Sequence, residues 1–161
     1  MKYLHYLLFS LVLSITTTAS DYLTYPGAMG VPWSENEPGP TLNNGGIWNA
    51  SPKRFLRIDL PIIRSLNEKN ISRVVVSTVD QNRKRKDISA AYAAVWWSGC
   101  RFNGVVTAKK FSRTTCNGSN IFIYPPTKGL VSNAHAYVSV QIPPKYKGKQ
   151  SGVISYQVNQ R

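Results

Sequence analysis

The feature that most limits how this chain can fold is a succession of short β-branched or alternating apolar runs. Each is closed off by Gly, Pro, Asn or Ser, and no long helical stripe lies between them. From Phe55 onward, Leu56, Ile58, Leu60 and Ile62 share one face while Arg57 and Asp59 take the other, which is the period of a half-buried strand. Pro61 cannot donate to a ladder, so the end of that strand belongs at an edge or a bulge. Residues 71–79 are β-branched almost throughout and lead into a polar run, 80–87, that reads as an exposed basic loop. Residues 104–111, 120–124, 134–142 and 153–158 form further short β-rich runs. Residues 88–97 are ambiguous, because Ile88, Ala91, Tyr92 and Val95 also fit a helical face and alanine favours helix. Assigned as strand, they bring the set to about seven, which points to an all-β fold, a single antiparallel β-sandwich, with a small β-barrel as the alternative.

The first 20 residues stand apart. Met1-Lys2 gives a positive start, residues 6–15 (YLLFSLVLSI) are apolar but too short to span a bilayer, and TTTAS is small and polar. This is the pattern of a cleavable secretory signal over residues 1–20, with no cysteine placed for a lipid anchor. No second run approaches the ~18 apolar residues of a membrane helix. The expectation is a secreted or periplasmic protein without a transmembrane segment.

Residues 21–52 are dense in turn formers, with Pro26-Gly27, Pro32, Pro38-Gly39-Pro40 and Asn43-Asn44-Gly45-Gly46. They read as an irregular arm whose Tyr25, Trp33 and Trp48 need burial, and which therefore lies on a β-domain spanning 53–161. Within that domain adjacent Trp96 and Trp97 must face opposite ways on a strand, so at most one is core and the other offers a stacking surface or is covered by the arm.

Charge is lopsided. The chain has 20 Lys and Arg against 7 Asp and Glu, a formal net charge of +13, and no carboxylate follows Asp87. Arg83, Lys84, Arg85 and Lys86 concentrate four cations, Lys145, Lys147 and Lys149 flank Tyr146, and Lys109, Lys110 and Arg113 add a third group. Such loops attract polyanions, and the leading expectation is a non-enzymatic domain that binds acidic polysaccharide, lipopolysaccharide or nucleic acid. A protein-interaction domain in which the charge serves only solubility is the second reading. The two cysteines, Cys100 and Cys116, are expected to pair in an oxidising compartment, closing a loop of about 15 residues worth roughly 3 kcal/mol. Their spacing is not that of a zinc site.

Several phrases stand in a shared order: Tyr25-Pro26-Gly27-Ala28-Met29, Asp59-Leu60-Pro61, Val79-Asp80, Ile142-Pro143-Pro144, and Ser151-Gly152 through Tyr156-Gln157-Val158. Together they resemble a group of uncharacterised small exported β-rich proteins of Gram-negative bacteria. The resemblance implies export and a sandwich-like fold, and it implies no activity. Where that group tends to carry cysteines this chain has Gly30, Leu60 and Val140, so apolar packing or the Cys100–Cys116 pair would take the place of the cross-links.

Catalytic equipment is sparse. Outside the leader the one histidine is His135, on the same strand face as Tyr137, and a small secreted hydrolase or toxin built on His135 is the third reading. Asp59, Asp80, Asp87, Glu68, Glu35 and Glu37 form no recognisable carboxylate pair, and Asp59 and Asp80 are expected to pair with Arg57, Arg73 or another cation. No GxSxG, HExxH, P-loop or calcium-loop pattern occurs, and no cofactor is implied. Asn49, Asn70 and Asn117 open N-x-Ser triplets that would be glycan sites in a eukaryotic secretory pathway.

Overall fold

Alternating runs become strands here because one face of each can be buried against a second sheet. The computed structural model describes residues 22–63, 71–82, 87–112, 118–126 and 134–160. Residues 1–21, with the expected signal, and the Arg83–Lys86 cations, Arg113, Cys116, Glu68, Asn70 and Asn117 lie outside the described residues.

Twelve strands are described: β1 (Tyr22–Pro26), β2 (Val31–Pro32), β3 (Pro40–Asn43), β4 (Gly46–Asn49), β5 (Leu56–Pro61), β6 (Ile71–Val79), β7 (Ser89–Ser98), β8 (Arg101–Val106), β9 (Lys110–Phe111), β10 (Ser119–Ile123), β11 (His135–Ile142) and β12 (Gly152–Gln160). The first sheet runs β10-β6-β12-β4-β3 with β1 also on β12, and the second runs β2-β5-β11-β7-β8 with β9 also on β7. All these pairings are antiparallel. The fold is a β-sandwich, and among the described residues no helix is long and apolar enough to cross a membrane.

The core lies between the sheets. Leu56, Ile58 and Leu60 of β5, Tyr92 and Ala94 of β7, and Val138, Val140 and Ile142 of β11 face Val74 and Val76 of β6, Ile121 and Ile123 of β10, and Val153, Tyr156 and Val158 of β12. Leu60 and Val140, at positions where the resembling group tends to have cysteine, are fully packed in this layer. Residues 88–97 settle as strand, since both edges of β7 are paired. On β12 the register against β6 shifts between Val153 and Ser155, so Ile154 is an extra residue and both Val153 and Tyr156 face inward.

Several expectations are corrected. The 21–52 segment is not an irregular arm: β1, β3 and β4 join the first sheet and β2 the second, because the edges of β12 and β5 offer backbone partners that the turn-rich composition does not reveal. Trp33 is not buried but 59% exposed. Residues 104–111 are not one strand but β8 and β9, separated by residues 107–109.

Polar side chains tie the two sheets at both ends. At one end the Tyr156 hydroxyl donates to the Pro61 carbonyl at 2.7 Å, and the Gln160 amide donates to the Ile63 carbonyl at 3.2 Å. At the other, the amide nitrogen of buried Asn49 lies within reach of the Arg54, Ile142 and Pro143 carbonyls. That nitrogen is committed to the fold, which makes Asn49 a structural residue and not a glycan acceptor. Buried Asp80 accepts bonds from the Ile88 and Asn82 amides and from the Ser112 and Ser151 hydroxyls. Among the described residues Asp80 is thus met by amides and hydroxyls, not by the expected cation, and Asp80 and Asn82 at the start of the 80–87 run are buried, not part of an exposed loop.

Burial, and then the neighbouring Tyr25, push the Tyr156 phenol up to about 12. The fold therefore resists forming the phenolate, and stability should fall as pH rises from about 10 through 12. Tyr156→Phe should flatten that alkaline fall in urea titrations, at a cost of about 1–2 kcal/mol at neutral pH for the lost Pro61 bond. Asp80→Ala strips four bonds at once and should cost on the order of 3 kcal/mol or more in the same measurement.

Candidate functional site

Antiparallel pairing sets opposed residues on the same side of a sheet, so the outer face of the second sheet can be read rung by rung. Arg57, Gln141, Ser89 and Phe111 form one rung, and Asp59, Ser139 and Ala91 the next. Pro61, Tyr137, Ala93 and Val106 form the third, and His135, Val95 and Gly104 the fourth. The middle column on β7 is small, and it is flanked by larger side chains on both sides.

The result is a groove of about 490 Å³ floored by Ser89, Ala91, Ala93 and Ser139 and walled by Arg57, Gln141, Tyr137, Val106 and Lys109. Ala91 and Ala93 point away from the core yet are only 6% and 4% exposed, because those walls overhang them. One wall comes from a bulge. Between the Ala93–Val106 and Ala90–Lys110 pairs, residues 107–109 oppose only Ala91 and Tyr92. Thr107 restores the ladder locally, its amide donating to the Tyr92 carbonyl at 2.9 Å and its hydroxyl accepting from the Tyr92 amide at 3.0 Å. The extra residue turns Lys109 into the groove wall.

Arg57 is held in place from two sides. Its guanidinium lies 5.3 Å from the centre of the Trp33 ring, and its Nε is 3.8 Å from the Glu37 carboxylate. Glu37 also accepts the Arg57 backbone amide at 3.0 Å. Such bracing lowers the entropy lost when an arginine grips a ligand. Glu37, not Asp59 as expected, is the ion partner of Arg57.

Along β11, His135 and Tyr137 contact each other with ring centres 5.9 Å apart. Burial pushes the Asp59 carboxyl above its usual range, against the lowering effects of the Ser139 hydrogen bond and the His135 charge. Its Oδ1 is buried with no hydrogen-bond partner among the described residues. Burial, and then the Asp59 charge, also raise the Tyr137 phenol. Among the described residues no three His, Cys, Asp or Glu side chains gather to share a metal ion.

The expected site residues are distributed unequally. Lys109 stands in the groove, whereas Lys145, Lys147 and Lys149 occupy a turn at the far end of the first sheet, fixed by the Lys145 amide donating to the Ser51 carbonyl. The flank of the Arg83–Lys86 stretch meets that turn, since the Asn82 side chain donates to the Pro144 carbonyl at 2.9 Å. Cys100 is exposed at the β7–β8 turn and forms no disulfide among the described residues. Trp96 is partly buried. Sequence reasoning missed the groove itself. Arg57, Gln141, Ser139 and the β7 alanines give no local signal, and only the strand register gathers them.

Asp59 supplies a test of this electrostatic reading. A carboxyl raised by the fold favours folding below its unfolded pKa of about 4 and loses that advantage as pH climbs through its folded value. Asp59→Asn should therefore stabilise the protein at pH 7 by on the order of 1 kcal/mol, and the gain should vanish near pH 3 in parallel denaturant titrations.

No family model matches the sequence, and no curated protein matches it. Among solved structures the chain is similar to a low-affinity xylan-binding module from the gut symbiont Roseburia intestinalis, with TM-score 0.53 and 14% identity over 88% of this chain and 96% of that one. A family two carbohydrate esterase from Cellvibrio japonicus gives TM-score 0.44 and 6% identity over 88% of this chain and 33% of that one. The first likeness is one of fold: a β-sandwich covering nearly the whole of both chains.

Proposed function

We propose that this domain binds a polysaccharide chain in the groove across the outer face of its second sheet, and that it binds without cleaving. The observation that carries the reading is the groove's construction, with a shaded floor of small residues, a tyrosine on one wall and hydrogen-bonding or cationic side chains around it. An extended sugar chain presents apolar C–H faces and many hydroxyls, which suits one aromatic surface among several amide and hydroxyl partners. The fold shared with a xylan-binding module makes polysaccharide the first ligand class to test.

Arg57 and Lys109, with no carboxylate or imidazole among the described lining residues, favour a chain that carries carboxylates over a neutral one. The same lining supports binding over hydrolysis, because cleavage of a glycosidic bond calls for two facing carboxylates. Asp59 sits in the second rung, and its companions there, Ser139 and Ala91 on one side and Val31 on the other, include no second carboxylate.

Affinity electrophoresis in gels containing polygalacturonate, xylan or a neutral glucan tests this directly. The protein should be retarded most by polygalacturonate, and Tyr137→Ala and Arg57→Ala should each weaken retention about tenfold, the effect of losing ~1.4 kcal/mol. Retention by none of the polymers, or retention indifferent to both substitutions, would rule out the groove as a glycan site.

A further inference from the structure

A second recess lies on the first sheet, away from the groove and sharing no lining residue with it. It has a volume of about 370 Å³ and is lined by Asn43, Trp48, Gln81, Gly148, Lys149 and Gln150. Three segments distant in sequence converge there: the β3–β4 hairpin with Asn43 and Trp48, the residue following Asp80, and the lysine turn before β12.

Trp48 is its base. Trp48 on β4 faces Gly152 across the ladder to β12, and a Cβ on Gly152 would come within 2.7 Å of the indole ring. A Cβ on Gly46 would stand 3.1 Å from the indole nitrogen. With both positions glycine, the indole packs closely against the backbone of β12 and of its own strand, and Trp48 lines the recess. The indole N–H is already satisfied, donating to the Asn43 carbonyl at 3.2 Å. What remains available is an aromatic face, which is the part of a tryptophan that stacks on a sugar ring.

The rim is polar and fixed. Lys147 and Gly148 both have positive φ, 49° and 80°, and Tyr146 and Lys149 exchange backbone bonds at 2.9 and 3.0 Å, making a tight two-residue turn. Lys147 is drawn to the Tyr146 ring, 5.6 Å from its centre, while Lys149 points into the recess lining. The Gln81 amide is anchored by the Ser151 hydroxyl at 3.0 Å, so the Asp80 network that closes the sandwich also positions this wall. Three carboxamides from Asn43, Gln81 and Gln150 can pair with adjacent hydroxyls, and one ammonium can pair with an anionic substituent.

We infer that the Trp48 recess is a second glycan site, which takes a single sugar residue bearing a carboxylate or sulfate, stacked on Trp48 with its anionic group on Lys149. Its ligand class rests on the polysaccharide reading above, whereas its geometry is independent of the groove. A polymer held at both places would gain avidity from two individually weak contacts.

The test is an NMR titration of the full domain with oligogalacturonate, neutral xylo-oligosaccharide and inorganic sulfate, following the Trp48 indole N–H, assigned by its loss in Trp48→Phe. Oligogalacturonate should move this resonance and the Gly148 amide, in the wild type and equally in the groove variant Tyr137→Ala. Lys149→Gln, a change at an exposed turn that leaves the core untouched, should weaken the response by about tenfold or more. Xylo-oligosaccharide should leave the resonance in place. An indole that none of the sugars moves, or a response that survives Lys149→Gln unchanged, overturns the inference. So does an equal response to sulfate alone, which would make the recess a bare anion site. Failure of the groove would instead appear as lost polymer retention in the gels with the Trp48 response intact.

Discussion

Everything in this molecule depends on the closure of two sheets over one apolar layer. Each strand has only two faces, and burying one of them removes Ile, Val and Leu from water at roughly 25 cal/mol per Å² of apolar surface. That leaves the outward face and the sheet ends as the places where chemistry can be placed without breaking the core. The polar ties at the two ends follow the same logic. Tyr156, Asn49 and Asp80 satisfy backbone groups that would otherwise be stranded where the sheets meet.

The outward face of the second sheet is used unusually economically. Alanines on β7 keep the floor low, a one-residue bulge lifts Lys109, and Arg57 is braced by Trp33 and Glu37. The segment between β1 and β5 therefore has a role beyond covering the domain. β2 stitches it to the edge of β5, and from there Trp33 and Glu37 orient a groove residue. On the other sheet the glycines opposite and beside Trp48 do comparable work, setting the pose of an aromatic ring through an absence of side chain.

The sandwich was legible in the sequence because period-two alternation is a direct record of one buried face, which β5 and β11 declare plainly, and because the β-branched run of β6 points to strand without it. The early strands were not legible. Val31-Pro32 and Pro40–Asn43 carry the residues that ordinarily end strands; the first pairs because β5 receives it, and the second pairs with the adjacent β4 in a hairpin that distant β12 receives in turn. The break between β8 and β9 was hidden because residues 104–111 continue a β-rich composition straight through the bulge. Asp80 read as part of a charged loop, since nothing local announces that Ser112 and Ser151 will arrive to bond it. The basic residues were visible as charge, but their sorting into a groove cation at Lys109 and a turn at 145–149 is a property of topology alone.

The position of β12 in the first sheet has a kinetic consequence. β6, β4 and β1 all pair with it, and each is separated from it by a long stretch of chain. The first sheet is therefore completed only by contacts between residues far apart in sequence, which makes for slow folding. Until β12 docks, β6 and β4 hold only their partners β10 and β3, and each keeps one edge open to unwanted pairing.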